Sequence, residues 1–169
     1  MPKPRSKSVD LGKFWHNRDD WIRTVEASFN IVHPGDPRND DGNCTACALV
    51  TARALVDGTN PYLAPRRFMR IEGGTEVGHF GRGDTTEVWS FVSLRTIPGC
   101  VYLIEDLDDH VFNVVRHYNG NIYLVDSNMQ IYLKALSLRD FSTDDLSHLK
   151  PGKGGMRILL WGTLNNRWL

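Results

Sequence analysis

The stretch Gly42-Asn43-Cys44-Thr45-Ala46-Cys47-Ala48-Leu49-Val50 decides how the chain is read. It runs on as an apolar segment to Gly58, with alanine at 46, 48, 52 and 54. This predicts a helix over about 44 to 57, opened by Asn43 as N-cap and stopped by Gly58. Small alanines let neighbouring elements approach closely, so the helix is expected to be central. At helical spacing Cys44, Cys47, Ala48, Thr51 and Leu55 share one face. A helix N-terminus carries unpaired N–H groups and roughly half a unit of positive charge, which favours a thiolate over a thiol. Cys44 is therefore read as a candidate nucleophile, against a metal ligand or a small buried residue.

Outward from this helix the pattern is helices first and strands later. Trp21, Ile22, Val25 and Phe29 predict an amphipathic helix over about 19 to 30. A loop dense in turn formers, residues 33–42, then delivers the chain to Cys44. After Pro61 and Pro65 comes a weakly patterned stretch through Gly83, in which residues 78–83 read as a flexible loop bordering a cleft. Asp84-Thr85-Thr86-Glu87 reads as a capping box for a helix closed by Pro98-Gly99. Short apolar strands are expected at 101–104, 111–115, 122–125, 131–133 and 156–161, with a short helix near 143–149. The order implies an α+β fold.

Composition bounds the function. The 169 residues suit one domain with its own core, and 41% hydrophobic with 24% charged residues argues against disorder. Twenty basic and twenty acidic residues cancel, which leaves no global electrostatic case for nucleic acid or a membrane surface as partner. Residues 1–12 read as a flexible basic arm or linker, and 13–169 as a single catalytic domain. Cys44, Cys47 and Cys100 are too few, and odd in number, for a disulfide framework. Cys44 and Cys47, one turn apart, also permit a redox pair, but working thiols in a reducing compartment are the simpler reading.

A cysteine nucleophile needs a base within hydrogen-bonding reach and a third group to orient that base. Of six histidines, His110 is best placed: it opens the strand 111–115, and the next strand ends in Asp126. Register decides whether they meet. A two-residue Asn119-Gly120 turn pairs Tyr118 with Asn121 and turns Asp126 away from His110. A five-residue connection pairs Val115 with Asn121, sets His110 opposite Asp126 at about 5 Å between Cβ atoms, and puts Phe112, Val114, Ile122 and Leu124 on one face. The second register is preferred, with a bulge near the hairpin end to reconcile it with the Asn-Gly pair.

The order Cys, His, acidic residue, with helix before sheet, resembles papain-like cysteine enzymes. More narrowly, residues 42–48, Leu55-Val56-Asp57-Gly58, and the segments 110–115 and 118–126 resemble the papain-fold toxin domains of bacterial polymorphic toxins. The resemblance implies a papain-like fold, with N-terminal helices and a central Cys-bearing helix packed on a C-terminal antiparallel sheet. It implies Cys44 as nucleophile, His110 as general base and acid, Asp126 as orienting group, and Asn43 or the Cys44 backbone N–H at the oxyanion. Relatives deamidate glutamine side chains of host proteins, so the expected activity is protein-glutamine deamidation, with cysteine proteolysis as the alternative. It further implies a protein substrate in a target cell, a cognate immunity protein, no cofactor, and delivery by a bacterial secretion system to the target-cell cytoplasm. Many relatives follow the aspartate with Gly-Gln, whereas this chain has Ser127-Asn128-Met129-Gln130.

Cys47 is the rival nucleophile, disfavoured because only the first turn offers free N–H groups. A zinc-dependent nucleobase deaminase needs His-x-Glu or Cys-x-Glu upstream of its cysteine pair, and neither His16-Asn17-Arg18 nor His33-Pro34-Gly35 supplies the glutamate. No metal is therefore expected. A non-enzymatic binding module with a structural Cys44 is the remaining class. The acidic run 105–109 is expected to be a solvated loop, its sharper role being to raise the pKa of His110.

Overall fold

The computed structural model describes residue 32 and residues 43–108, 110–129, 131–135 and 149–168. Among these residues, two α-helices, α1 (Cys44–Asp57) and α2 (Thr85–Leu94), accompany six strands: β1 (Thr75–Phe80), β2 (Cys100–Asp106), β3 (His110–Arg116), β4 (Ile122–Asp126), β5 (Ile131–Ala135) and β6 (Met156–Thr163). A 3-10 turn follows at Asn166–Trp168. The strands form one sheet in the order β1-β6-β2-β3-β4-β5, and every pairing is antiparallel. The fold is α+β. The helices expected at about 19–30 and 143–149 fall outside the described residues, except for Leu149, which is buried.

Alternation along the strands sorts the apolar side chains into two layers. Val101, Leu103, Val111, Val115, Tyr123, Val125 and Leu159 pack with the alanines and Leu55 of α1. Tyr102, Ile104, Phe112, Val114, Ile122, Leu124 and Ile158 take the other face, with Val88 and Val92 of α2. A sheet covered on both sides explains why β3 and β4 read as continuous apolar runs. Each fully buried large side chain contributes about 1.5–3 kcal/mol by leaving water. α1 ends as expected: Gly58 adopts a left-handed φ of 70°, and its N–H closes on the Ala54 carbonyl at 3.0 Å.

Four expectations need correction. The weakly patterned stretch before Gly83 contains β1, so the chain interposes a strand between its helices. β1 pairs β6 with a bulge near Gly78, and its side chains are mostly exposed, which erased the alternation that marks a strand. The Asp84 carboxylate accepts the Gly81 N–H at 2.8 Å and makes no side-chain cap bond to α2. The β3–β4 register also differs from the preferred one. Val115 pairs with Tyr123, and the hairpin is closed by the His117 N–H to Asn121 O at 2.9 Å and the Gly120 N–H to His117 O at 2.9 Å. This three-residue connection, with Gly120 at φ 90°, is the bulged turn that Asn-Gly favours one residue beyond the tight hairpin. The fourth is the acidic run: Glu105 and Asp106 belong to β2, with Glu105 paired to Arg157, while Leu107 and Asp108 form the expected exposed turn, in which Asp108 accepts the Gly154 N–H at 2.7 Å, and Asp109 lies outside the described residues.

Candidate active site

Sliding a strand by two residues preserves which side chains share a face, whereas sliding by one reverses it. The observed register is two positions from the preferred one, so His110 and Asp126 still share a face, as diagonal neighbours at the strand ends. The His110 Nε2 lies 2.5 Å from the Asp126 Oδ2, and Asp126 is wholly buried. The other carboxylate oxygen accepts the Met129 N–H at 3.1 Å. The imidazole is further steadied by stacking on Phe112, with centroids 6.1 Å apart and planes inclined by 23°.

With Nε2 committed to Asp126, Nδ1 is the ring nitrogen left for sulfur. Cys44 opens α1 and is half-buried, and it hydrogen-bonds His110 around the end of β3, where the Val111 N–H also meets it. Burial opposes ionisation of this thiol. The His110 hydrogen bond and charge outweigh burial, with help from Val111 and Thr45, and hold Cys44 below its ordinary pKa. Burial likewise opposes a charge on His110, but the Asp126 carboxylate and then Cys44 push the imidazole up to about 10. Among the described residues, Asp126 and Cys44 are the partners that raise it. A half-buried thiol and a partly buried imidazole thus shift in the directions that favour a thiolate–imidazolium pair.

Cys47 lies one turn further along the helix and only 1% exposed. Burial pushes its thiol up to about 12, while the Asn128 amide, 3.9 Å away, works weakly the other way. The two cysteines therefore differ in kind.

Asn43 is only 2% exposed, and its side chain does not cap α1. Its Oδ1 accepts from the Asn128 Nδ2 at 2.9 Å, and its own Nδ2 donates to the Pro65 carbonyl at 3.4 Å. A carbonyl can only accept, so Pro65 fixes which way the Asn43 amide faces, and Asn43 in turn fixes Asn128. The neighbouring Ser127 hydroxyl meets the Thr51 hydroxyl at 2.7 Å. Residues 127–129 are thereby clamped to α1 at two points while holding the Asp126 carboxylate at a third. Sequence reading missed this clamp, and its one signal was a polar triplet directly after the aspartate.

Among the described residues, no group of three or more His, Cys, Asp or Glu side chains is placed to hold a metal ion. No helix among them is long and apolar enough to cross a membrane. Comparison with protein-family models, with curated proteins and with solved structures found no match to this chain.

Proposed function

We propose that this is a papain-like cysteine amidohydrolase, a toxin or effector domain that deamidates glutamine side chains of a protein substrate. The supporting observation is the line of three groups: a half-buried thiol at a helix start, an imidazole bonded to it, and a buried carboxylate 2.5 Å from that ring. Cys44 as thiolate attacks the carboxamide carbon. The oxyanion forms beside the first turn of α1, where the Cys44 N–H and its neighbours have no helical acceptor and the helix dipole favours negative charge. His110, protonated while the thiolate waits, gives its proton to the departing ammonia and leaves a thioester on Cys44. His110 then takes a proton from water, which hydrolyses the thioester to a carboxylate and restores the thiolate. Asp126 keeps the ring oriented and its charge compensated throughout.

The resemblance to polymorphic-toxin domains carries the choice of glutamine, the delivery through a bacterial secretion system into a target cell, and a cognate immunity protein as partner. The deciding experiment is intact mass spectrometry of candidate target proteins after incubation with wild type and with Cys44→Ala. Deamidation adds about 1 Da per site only with wild type. Fragments in place of that shift would make the enzyme a peptidase, and unchanged targets with a slowly alkylated Cys44 would leave a binding module.

A further inference from the structure

Residues 65–71 read Pro-Arg-Arg-Phe-Met-Arg-Ile and leave directly from the active site. The peptide group that begins Arg66 is the one whose carbonyl Asn43, the residue before Cys44, holds at 3.4 Å. One residue earlier, the Ala64 N–H is tied to the Val32 carbonyl at 3.0 Å. At the far end, Met69 and Ile71 pack against the core layer of α1. The segment is therefore pinned on both sides, and what lies between is held outward. Arg66, Arg67 and Arg70 are exposed, and none makes a hydrogen bond or ion pair among the described residues. Glu72, two residues beyond, pairs with none of them. Phe68 is 78% exposed, the largest exposure of any large apolar side chain among the described residues.

A chain with zero net charge has no general reason to gather three guanidinium groups that find no partner among the described residues around an exposed ring beside its nucleophile. We infer that residues 66–70 are the substrate-recognition element of this site, and that they select a protein segment with carboxylates and an apolar side chain flanking the target amide. The inference rests on the amidohydrolase reading for calling the bound segment a substrate. Guanidinium groups pair bidentately with carboxylates, and the Phe68 ring offers apolar contact at low entropic cost. Such pairs at a rim chiefly set association rate and partner choice, and they weaken as salt rises. A protein is favoured over nucleic acid because the patch is confined to one short loop and the twenty basic and twenty acidic residues of the chain cancel.

The test is fluorescence anisotropy with the Cys44→Ala protein and three labelled peptides. Each carries a central glutamine and one phenylalanine, flanked by glutamates, by alanines or by lysines. The glutamate peptide should bind at least about tenfold more tightly than the lysine peptide at low ionic strength, and lose that margin in salt. The triple variant Arg66→Glu, Arg67→Glu, Arg70→Glu should reverse the order, and Phe68→Ser should weaken all three peptides alike. In wild type, the glutamate peptide should also slow alkylation of Cys44 by iodoacetamide. Equal binding of the three peptides, indifference to the charge reversal, or tighter capture of an equally charged single-stranded DNA oligonucleotide would overturn the inference. Slow alkylation of Cys44 near pH 6 without any peptide would sink the amidohydrolase reading instead, while leaving the binding result to stand on its own.

Discussion

The edge and the floor of the first turn of α1 each hold a cysteine, and the fold treats them oppositely. At the edge, Cys44 meets an imidazole that a buried carboxylate keeps charged, and its thiol is held below the ordinary value. On the floor, Cys47 is buried, which pushes its thiol up to about 12, and the Asn128 amide at 3.9 Å opposes this weakly. Both sit near a helix N-terminus, so the dipole alone does not activate a thiol. What separates them is a partner of opposite charge and a share of solvent.

The largest break in this contrast comes from removing a cysteine. An ordinary thiol is more than about 99% protonated at pH 6, so iodoacetamide at that pH should label wild type on Cys44 alone. Cys100, whose thiol burial also pushes up, should stay silent. Cys44→Ala should abolish both labelling and any amidohydrolase activity, and Cys47→Ala should keep labelling within a few-fold. The reverse outcome would hand the nucleophile's role to Cys47.

Next in size are the partners of the edge cysteine. His110→Ala or Asp126→Asn should each slow Cys44 alkylation near pH 6 by about ten- to a hundredfold, since each pKa unit is a factor of ten in thiolate. A full pH–rate profile of alkylation would expose the change as a shift toward the behaviour of a free thiol. An unchanged profile would mean that the thiol owes nothing to the pair.

The pair also shapes stability against pH. His110, pushed up from 6.5 to about 10, contributes stability that is present below 6.5 and lost as pH rises through about 10. Cys44, held below 9.0, contributes in the opposite sense: its stabilisation is present above 9.0 and lost as pH falls through its lowered value. Where the two windows overlap below 9.0 the slopes cancel, and above 9.0 only the decline from His110 remains. Urea denaturation should therefore show a steeper loss of stability above about 9 than just below it. Cys44→Ser removes the opposing slope, so the decline should set in above about 6.5, with His110 still held up by Asp126.

The smallest effects sharpen the floor. Asn128→Ala leaves the buried Asn43 oxygen without its donor and should cost about 1–3 kcal/mol in denaturation experiments. Ser127→Ala should cost about 1 kcal/mol, since the Thr51 hydroxyl loses a single neutral partner. If Asn128→Ala melts like wild type, the clamp between α1 and the turn after Asp126 contributes nothing.

Much of this was legible in the chain. Alanine spacing and Gly58 marked α1, and the β-branched runs marked β2 to β6. His110 and Asp126 were brought together even though the preferred register was wrong, because an even slip conserves faces. β1 was not legible: an exposed edge strand broken by Gly78 carries no alternation to read. Nor was the clamp, because Asn43 looks like a helix cap by position, and only the fold reveals that its amide is turned toward Pro65 and Asn128. Local rules fail where a polar side chain prefers a distant partner to its own backbone.

The strand order has a consequence in time. β6, the last strand to be made, lies between β1 and β2, so two neighbours that precede it in the chain cannot be joined until it arrives. The hairpin of β3 and β4 that presents His110 and Asp126 forms from residues close in sequence, and β2 can join it at once. Residues 164–168 then fasten the finished sheet to α1: Asn165 donates its N–H to the Leu55 carbonyl at 2.8 Å, and the Trp168 indole donates to the Ala54 carbonyl at 2.9 Å. During synthesis the hairpin and β2 can offer α1 a packing surface early, and residues 164–168 add the last bonds between α1 and the sheet. On a refolding time course, fast alkylation of Cys44 is expected to coincide with burial of Trp168.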